Sequence, residues 1–156
     1  MTAFEEQYRA VEKNLYLVAI GYLRNTEDAR DAVQEAALAA YRAYPGLREK
    51  RRFRSWITRI LVNKCLDMLR QTRARDQLTE RAADPLGLLA EVPVQELELM
   101  DLIGRLPVEQ RACILLRFYQ DLTYRETARV LGIPESTVKA RTKAALGRLA
   151  EWMKEV

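Results

Sequence analysis

Between Arg48 and Arg75 the sequence gathers Arg48, Lys50, Arg51, Arg52, Arg54, Arg59, Lys64, Arg70, Arg73 and Arg75 against only Glu49 and Asp67. Phe53, Trp56, Ile57, Ile60, Leu61, Cys65, Met68 and Leu69 recur through the same stretch at helical spacing, so one face is core. The other face presents Ser55, Arg59, Asn63 and Arg70 in a row. A fixed array of cations gains free energy by releasing counterions condensed along a phosphate backbone, which makes a nucleic acid the natural ligand. A solvated basic face is the alternative that charge alone leaves open.

Two further clusters bear on function. Asp28, Asp31 and Glu35 lie three or four residues apart, with Gln34 beside them, away from the apolar stripe of Ala32, Val33, Ala36, Ala37, Ala40 and Tyr41. That spacing forms one acidic ridge on a helix, suited either to compensating the helix dipole or to docking a basic partner. Near the C-terminus, Lys139, Arg141 and Lys143 stand on the exposed side of an apolar pattern formed by Val138, Ala145, Leu149 and Trp152. Catalysis finds no comparable support. The chain contains no histidine, no GxxxxGK[ST] phosphate loop and no evident metal-binding carboxylate cluster, so neither an enzyme nor a metal or cofactor site is expected.

The elements that must position these groups can be read in order. Phe4, Tyr8, Val11, Leu15, Val18, Ala19, Tyr22 and Leu23 mark a first helix ending near Arg24 and Asn25. Thr26 is expected to cap the second, with Glu27 and Asp28 in its first turn. Pro45 and Gly46 end that helix, and a loop over 47–52 leads into the basic helix. Residues 76–94 contain Pro85, Gly87 and Pro93 without periodicity and read as a linker. A short helix holding Leu99, Met100, Leu102 and Ile103 is expected to break at Gly104; Pro107 opens the next, which runs to about Tyr119. Thr123 and Glu126 make a capping-box pattern, Ala128 permits close helix approach, Gly132 fits a turn, and a last helix covers 136–152. Helix, glycine turn, second helix is the helix-turn-helix pattern, whose second helix enters a major groove. The fold class is therefore all-α: two small helical domains, 1–75 and 95–156, joined by a flexible linker over 76–94, the second domain a helix-turn-helix.

The bulk properties agree. The chain has 156 residues, is 49% hydrophobic and 31% charged, and carries a formal net charge of +4. Its basic and acidic segments alternate, which suggests several distinct contact surfaces. No apolar run approaches the length of a membrane span, and Glu5 and Glu6 do not suit a signal peptide, so a cytoplasmic protein is expected. Cys65 and Cys113 fall inside apolar patterns without CxxC spacing, against disulfide or zinc roles.

With these pieces in order the chain resembles an ECF (extracytoplasmic function) sigma factor. Asn25-Thr-Glu-Asp-Ala-Arg-Asp-Ala-Val-Gln-Glu35 looks like the family's polymerase-docking segment, Phe53-Arg-Ser-Trp-Ile-Thr-Arg-Ile-Leu-Val-Asn63 its promoter-opening helix, and Leu122 through Lys143 its C-terminal helix-turn-helix. The resemblance implies that Asp28, Asp31, Gln34 and Glu35 contact the clamp helices of the largest subunit of core RNA polymerase. It implies that Arg48, Lys50, Arg51, Arg52, Trp56, Arg59 and Asn63 serve the single-stranded minus-ten element. Trp56 sits on the apolar stripe, where core packing competes with base stacking. The minus-thirty-five duplex would fall to Ser136, Thr137, Lys139, Ala140, Arg141 and Lys143, with Lys139 and Lys143 toward base edges and Arg141 toward phosphate. Thr142 and Ala144 depart from the Arg or bulky residue often found in that stretch. Promoter DNA, core polymerase and an anti-sigma factor are the partners so implied. A conventional helix-turn-helix regulator is the alternative; it leaves the acidic ridge and the basic aromatic helix without a role.

Overall fold

The structure, a computed structural model, describes residues 1–76 and 94–155. Seven α-helices follow in order among them: α1 (Ala3–Leu23), α2 (Thr26–Ala43), α3 (Phe53–Asp76), α4 (Val94–Arg105), α5 (Val108–Ile114), α6 (Tyr124–Leu131) and α7 (Glu135–Lys154). Most of the expected linker over 76–94 lies outside the described residues.

Local chemistry fixes the helix ends. Thr2 caps α1 by accepting from the Glu5 amide, and Arg24 closes it in the left-handed region at φ 56°. Asn25, not Thr26, caps α2: its side chain accepts from the Asp28 amide at 2.9 Å, and Thr26 becomes the first helical residue and is buried. Either residue type is a good cap; the left-handed Arg24 reverses the chain early enough that Asn25 takes the extended conformation a cap requires. The expected break at Gly104 does not occur, since α4 continues to Arg105. Gly104 is instead a point of close approach, where a Cβ would lie 2.5 Å from Nε of Arg24.

Helices α1, α2 and α3 form a three-helix bundle, and α5, α6 and α7 form a second group with α4 alongside. The two halves are packed together rather than standing apart. One continuous core runs from Phe4 through Ile57 and Leu61 to Leu115, Leu122 and Leu149, with a small second cluster of Cys113, Ala128 and Val138 beneath the helix-turn-helix. The last turns of α1 explain the joining. Leu17, Val18, Ala19, Ile20, Gly21 and Tyr22 are all buried in succession, so this end of the helix has no solvent face and needs cover on every side. Leu115 supplies part of it, so close to Gly21 that a Cβ there would meet Cδ2 of Leu115 at 2.4 Å.

Arg111 fastens the contact. It is buried, and its guanidinium donates to the carbonyls of Tyr22 (2.9 Å) and Gly21 (3.4 Å) at the end of α1, and to Gly104 (3.1 Å) and Leu106 (3.2 Å) at the end of α4. A cation here satisfies helix-end carbonyls that lack intrahelical partners and opposes the negative ends of two helix dipoles. Burial lowers the Arg111 pKa, with Arg24 acting in the same direction. Around this centre, Arg24 pairs with Asp101 at 3.2 Å and Arg54 with Asp121 at 3.9 Å, each joining the two halves.

Candidate nucleic-acid interface

On α2 the small residues Ala29, Ala32, Ala36 and Ala40, with Val33, face the core, leaving Asp31, Gln34 and Glu35 exposed on the opposite ridge and Asp28 half-buried at its start. Tyr41, expected inward, is 59% exposed. Ala40 already fills the core position, and one residue on, about 100° round the helix, Tyr41 makes a T-shaped contact with Phe4, ring centroids 5.4 Å apart. Leu38, which the sequence reading passed over, is 51% exposed and lies one turn beyond Gln34. The ridge therefore runs from carboxylates to an apolar end at Leu38 and Tyr41. A leucine at helical spacing from Gln34 and outside the alanine stripe was the signal available in the sequence.

The segment before α3 is tied down by aromatic and polar contacts. Lys50 donates to the Tyr44 carbonyl at 2.8 Å and sits 3.8 Å above the Tyr44 ring. The Lys50 carbonyl accepts from Gln7, whose Oε1 in turn accepts from the Tyr44 hydroxyl, both at 2.8 Å. Arg51 and Arg52 share Glu49, at 3.4 and 2.7 Å, and Arg48 is exposed. Trp56 is half-buried on the rim of an aromatic cluster, 5.8 Å from Phe53 and 6.5 Å from Tyr44. It serves the core with one edge and solvent with the other.

Along α3 the buried side is Phe53, Ile57, Thr58, Leu61, Val62 and Cys65; Thr58 is accommodated because its hydroxyl donates to the Arg54 carbonyl at 2.6 Å. Arg59, Asn63 and Arg70 are exposed together on the far side, with Arg70 held 3.2 Å from Asp67. Burial pushes the Cys65 thiol up to about 12, and burial also raises Cys113 against opposing effects from Arg141 and Thr142. Neither sulfur is a ready thiolate.

The helix-turn-helix has both halves of its capping box: the Glu126 amide donates to Thr123 Oγ1 and the Thr123 amide to Glu126 Oε1, each at 3.0 Å. Gly132 closes α6 at φ 67°, which glycine adopts without a Cβ clash. Helix α7 then starts one residue earlier than expected, at Glu135. Val138, Thr142, Ala145 and Leu149 face inward, and Trp152 is half-buried. Ser136, Lys139, Ala140 and Lys143 are exposed; Thr137 and Arg141 are half-buried. Lys139 lies 3.8 Å from Glu135 and 5.7 Å from the centre of the Tyr124 ring, which steadies it over the start of α6. Thr142, the departure noted in the sequence, is buried, its hydroxyl donating to the Val138 carbonyl at 2.7 Å, so it does not reach a groove.

The structure thus keeps three surfaces apart: the acidic ridge of α2, the cationic face of α3 and the cationic start of α7. They give an all-helical protein two cationic helix faces and, on another helix, an acidic ridge. Comparison with known proteins gives the class its name. The family described as "Sigma-70 region 2" matches residues 7–75, and "Sigma-70, region 4" matches residues 96–149. The ECF RNA polymerase sigma factor SigM of Mycobacterium tuberculosis is 36% identical over 148 residues, spanning 95% of this chain and 76% of that protein. RNA polymerase sigma factor SigV of Bacillus subtilis is 30% identical over 135 residues, spanning 86% and 81%. Among solved structures, CnrH in complex with the cytosolic domain of CnrY has a TM-score of 0.74 at 26% identity, covering 98% of this chain and 88% of that one. The sigma factor RpoE of Bartonella quintana, in complex with the anti-sigma factor NepR, has a TM-score of 0.82 at 22% identity over 99% and 98%, and shares the fold. The chain belongs to the ECF family of RNA polymerase sigma factors, proteins of transcription initiation. Among the described residues no helix is long and apolar enough to cross a membrane.

Proposed function

We propose that this chain carries core RNA polymerase to promoters through a division of labour among its three surfaces. Residues 1–75 form the unit that docks polymerase and handles the minus-ten element, 76–94 connect, and 95–156 form the unit that reads the minus-thirty-five duplex. Asp28, Asp31, Gln34 and Glu35 dock the clamp helices of the largest subunit. Arg48, Lys50, Arg51, Arg52, Arg59 and Asn63 hold the separated strand, with Trp56 at the rim of the aromatic cluster offering a stacking edge. Ser136, Thr137, Lys139, Ala140, Arg141 and Lys143 face the duplex, the exposed lysines toward base edges. The observation that carries this reading is the acidic ridge: Asp31 and Glu35 stand beyond the first turn of α2, where dipole compensation fades, so their exposure supports a basic protein partner in addition to DNA.

The protein acts in the cytoplasm, catalyses no reaction of its own, and is held in check by an anti-sigma factor. That last point is supported by RpoE, whose structure was determined with NepR, a protein described as an anti-sigma factor. Transcription in vitro with purified core enzyme on a genomic promoter library tests the whole proposal. Specific start sites that appear only when the chain is added are the expected result. Tight binding to promoter duplex without core enzyme, and no start sites with it, would instead favour a conventional regulator.

A further inference from the structure

Between α1 and α2 the bundle carries an open groove of about 460 Å³. Sites for small ligands usually fall between roughly 300 and 1,000 Å³, so it has room for one. On the α1 side, Tyr8, Glu12 and Tyr16 follow one another at four-residue steps, with Arg9 and Lys13 on the row beside them. On the α2 side, Arg30 and Gln34 stand over Val33, which is buried. Because α1, α2 and α3 each pack on the other two, this groove opens on the side of the bundle away from α3 and its cationic face. Of the residues in the three surfaces described above, only Gln34 lines it.

Three cations line the groove against one carboxylate, Glu12. Arg9 and Lys13 are like charges four residues apart, a spacing that costs a helix stability, and Arg30 adds a third from the facing helix. Among the described residues none of the three is in an ion pair, whereas Arg24, Arg52, Arg70 and Arg105 each are. A cleft that focuses unpaired positive charge between low-dielectric walls concentrates anions. The walls narrow the choice of anion. Tyr8 is fixed by stacking on Phe4, ring centroids 5.8 Å apart and planes 6° from parallel, and both Tyr8 and Tyr16 are half-buried, so each keeps part of its ring on the groove. Burial and, after it, Glu12 raise the pKa of the Tyr8 hydroxyl, which leaves it a hydrogen-bond donor. Free phosphate would engage the cations and leave the tyrosine rings and Val33 unused. A nucleotide engages all of them: a base has a face to lay on tyrosine, and its phosphates accept charge-assisted hydrogen bonds from Arg and Lys. The Gln34 amide both donates and accepts, as a base edge requires, and the Glu12 carboxylate accepts from sugar hydroxyls.

We propose that the groove between α1 and α2 binds a nucleotide carrying two or more phosphates, and that its occupancy weakens docking to polymerase, because Gln34 belongs both to the groove and to the acidic ridge. The second part rests on the proposed function; the site itself does not. Calorimetric titration of the full chain with ADP, GDP, inorganic pyrophosphate, adenosine and a short single-stranded oligodeoxynucleotide tests the site, with circular dichroism to monitor folding. ADP or GDP is expected to bind about tenfold more tightly than pyrophosphate or adenosine, the difference one stacked base makes. Lys13→Glu combined with Arg30→Glu should weaken nucleotide binding by about tenfold or more at unchanged helix content, since both side chains are exposed and unpaired. Tyr16→Leu should weaken it by a similar factor, and if that variant loses helix content the charge-reversed one alone decides. Pyrophosphate binding as tight as that of ADP and GDP overturns the proposal in favour of a simple anion site. Oligonucleotide binding that is lost with the same substitutions, while ADP and GDP fail to bind, overturns it in favour of a strand surface. Nucleotide binding that ignores the substitutions, or none at millimolar concentration, also overturns it. Core enzyme takes nucleotides as substrates, so the effect on docking is read as a difference between chains. At a concentration about ten times its Kd for the isolated chain, ADP or GDP should weaken association of the native chain with core enzyme about tenfold and leave that of the charge-reversed variant unchanged. An equal effect on both chains overturns the competition and leaves the site. A native chain that binds nucleotide but does not associate with core enzyme at all would defeat the functional reading and leave the site standing.

Discussion

The guanidinium of Arg111 donates to the carbonyl of Tyr22 at 2.9 Å, linking residues 89 positions apart in the sequence and belonging to different halves of the chain. Because the same side chain also serves Gly21, Gly104 and Leu106, its loss would strand several buried acceptors at once. Arg111→Ala is expected to destabilise the packed protein by about 3 kcal/mol, the upper end of the cost of leaving a buried acceptor without its hydrogen bond. The shared core predicts a single cooperative urea transition for the native chain. The variant should show two transitions; one unbroken transition in the variant would mean that the halves remain coupled without this residue.

Asp31→Arg combined with Glu35→Arg should abolish binding to core polymerase while leaving the melting temperature within a few degrees of native. Both residues are exposed on α2 and make no contribution to its buried alanine face, and surface changes of this kind rarely exceed about 0.5 kcal/mol. Leu38→Ala should weaken the same interaction more modestly, by about tenfold, since an apolar group beside the carboxylates loses area on truncation. Co-migration with core enzyme on gel filtration distinguishes the outcomes, and retention by the charge-reversed variant would remove the ridge from the docking surface.

Lys139→Ala and Lys143→Ala together should reduce binding to the upstream duplex and spare polymerase binding. If both side chains sit at phosphates, the slope of log affinity against log salt falls by about 2, roughly one per cation. If they read base edges, discrimination between promoter sequences should collapse at a smaller change in slope. Titration of cognate and scrambled duplexes by the chain with core enzyme, at several salt concentrations, separates these cases. Equal loss of polymerase binding would show that α7 has another role.

What the sequence could and could not say follows from the range of the forces involved. The capping box of Thr123 and Glu126 and the left-handed Gly132 are local, and both stand where their spacing put them. The expected inward positions of α1 and α3 are buried or half-buried, because a 3.6-residue period needs no knowledge of what lies opposite, whereas the burial of Leu17, Ile20, Thr58 and Val62 beyond those stripes depends on what packs around them. The fate of Tyr41 depends on whether Ala40 or Tyr41 takes the core position, a choice made by helix packing; Ala40 is buried and Tyr41 is left exposed. Gly104 was read as a breaker, a property of the isolated residue, whereas its burial beside Arg24 makes it a spacer. Arg111 carried no local signal, since its four acceptors come from two helix ends that are brought together only by tertiary packing. One clue to that packing was present: the run from Leu17 to Tyr22 is apolar on every face, more than a three-helix bundle alone can cover.

Gly132→Ala isolates the turn of the helix-turn-helix. A Cβ at this position meets nothing within 4 Å, so any penalty comes from the backbone at φ 67° and not from crowding. The expected loss is about 1 kcal/mol, the usual left-handed penalty for a residue with a side chain. Upstream-element binding should fall by less than tenfold, with sequence preference unchanged. Loss of helix content throughout 95–156 would mean that the turn nucleates the domain and is more than a connection within it.

Alkaline pH should undo the fold more readily than neutral pH, for a reason that can be assigned to particular groups. The chain has no histidine, so no imidazole titrates between pH 5 and 8. Burial raises the Cys65 thiol from its ordinary 9.0 to about 12, and burial with Glu96 raises the Tyr119 hydroxyl from 10.0 to about 12. Both groups hold their protons to higher pH in the folded chain than in the unfolded one. Their contribution is therefore complete below about pH 9 and declines as pH rises from there through 12, because the unfolded state sheds protons first. Burial pushes Tyr22 in the same direction and extends the effect. Urea midpoints measured between pH 7 and 11 should be level to about pH 9 and then drop steadily. Cys65→Ala should lower the plateau through its lost packing and make the fall above pH 9 shallower, leaving Cys113, whose thiol burial also raises, and the buried tyrosines to carry it. A midpoint that stays level to pH 11 in the native protein would show that these groups are reached by solvent in the folded state.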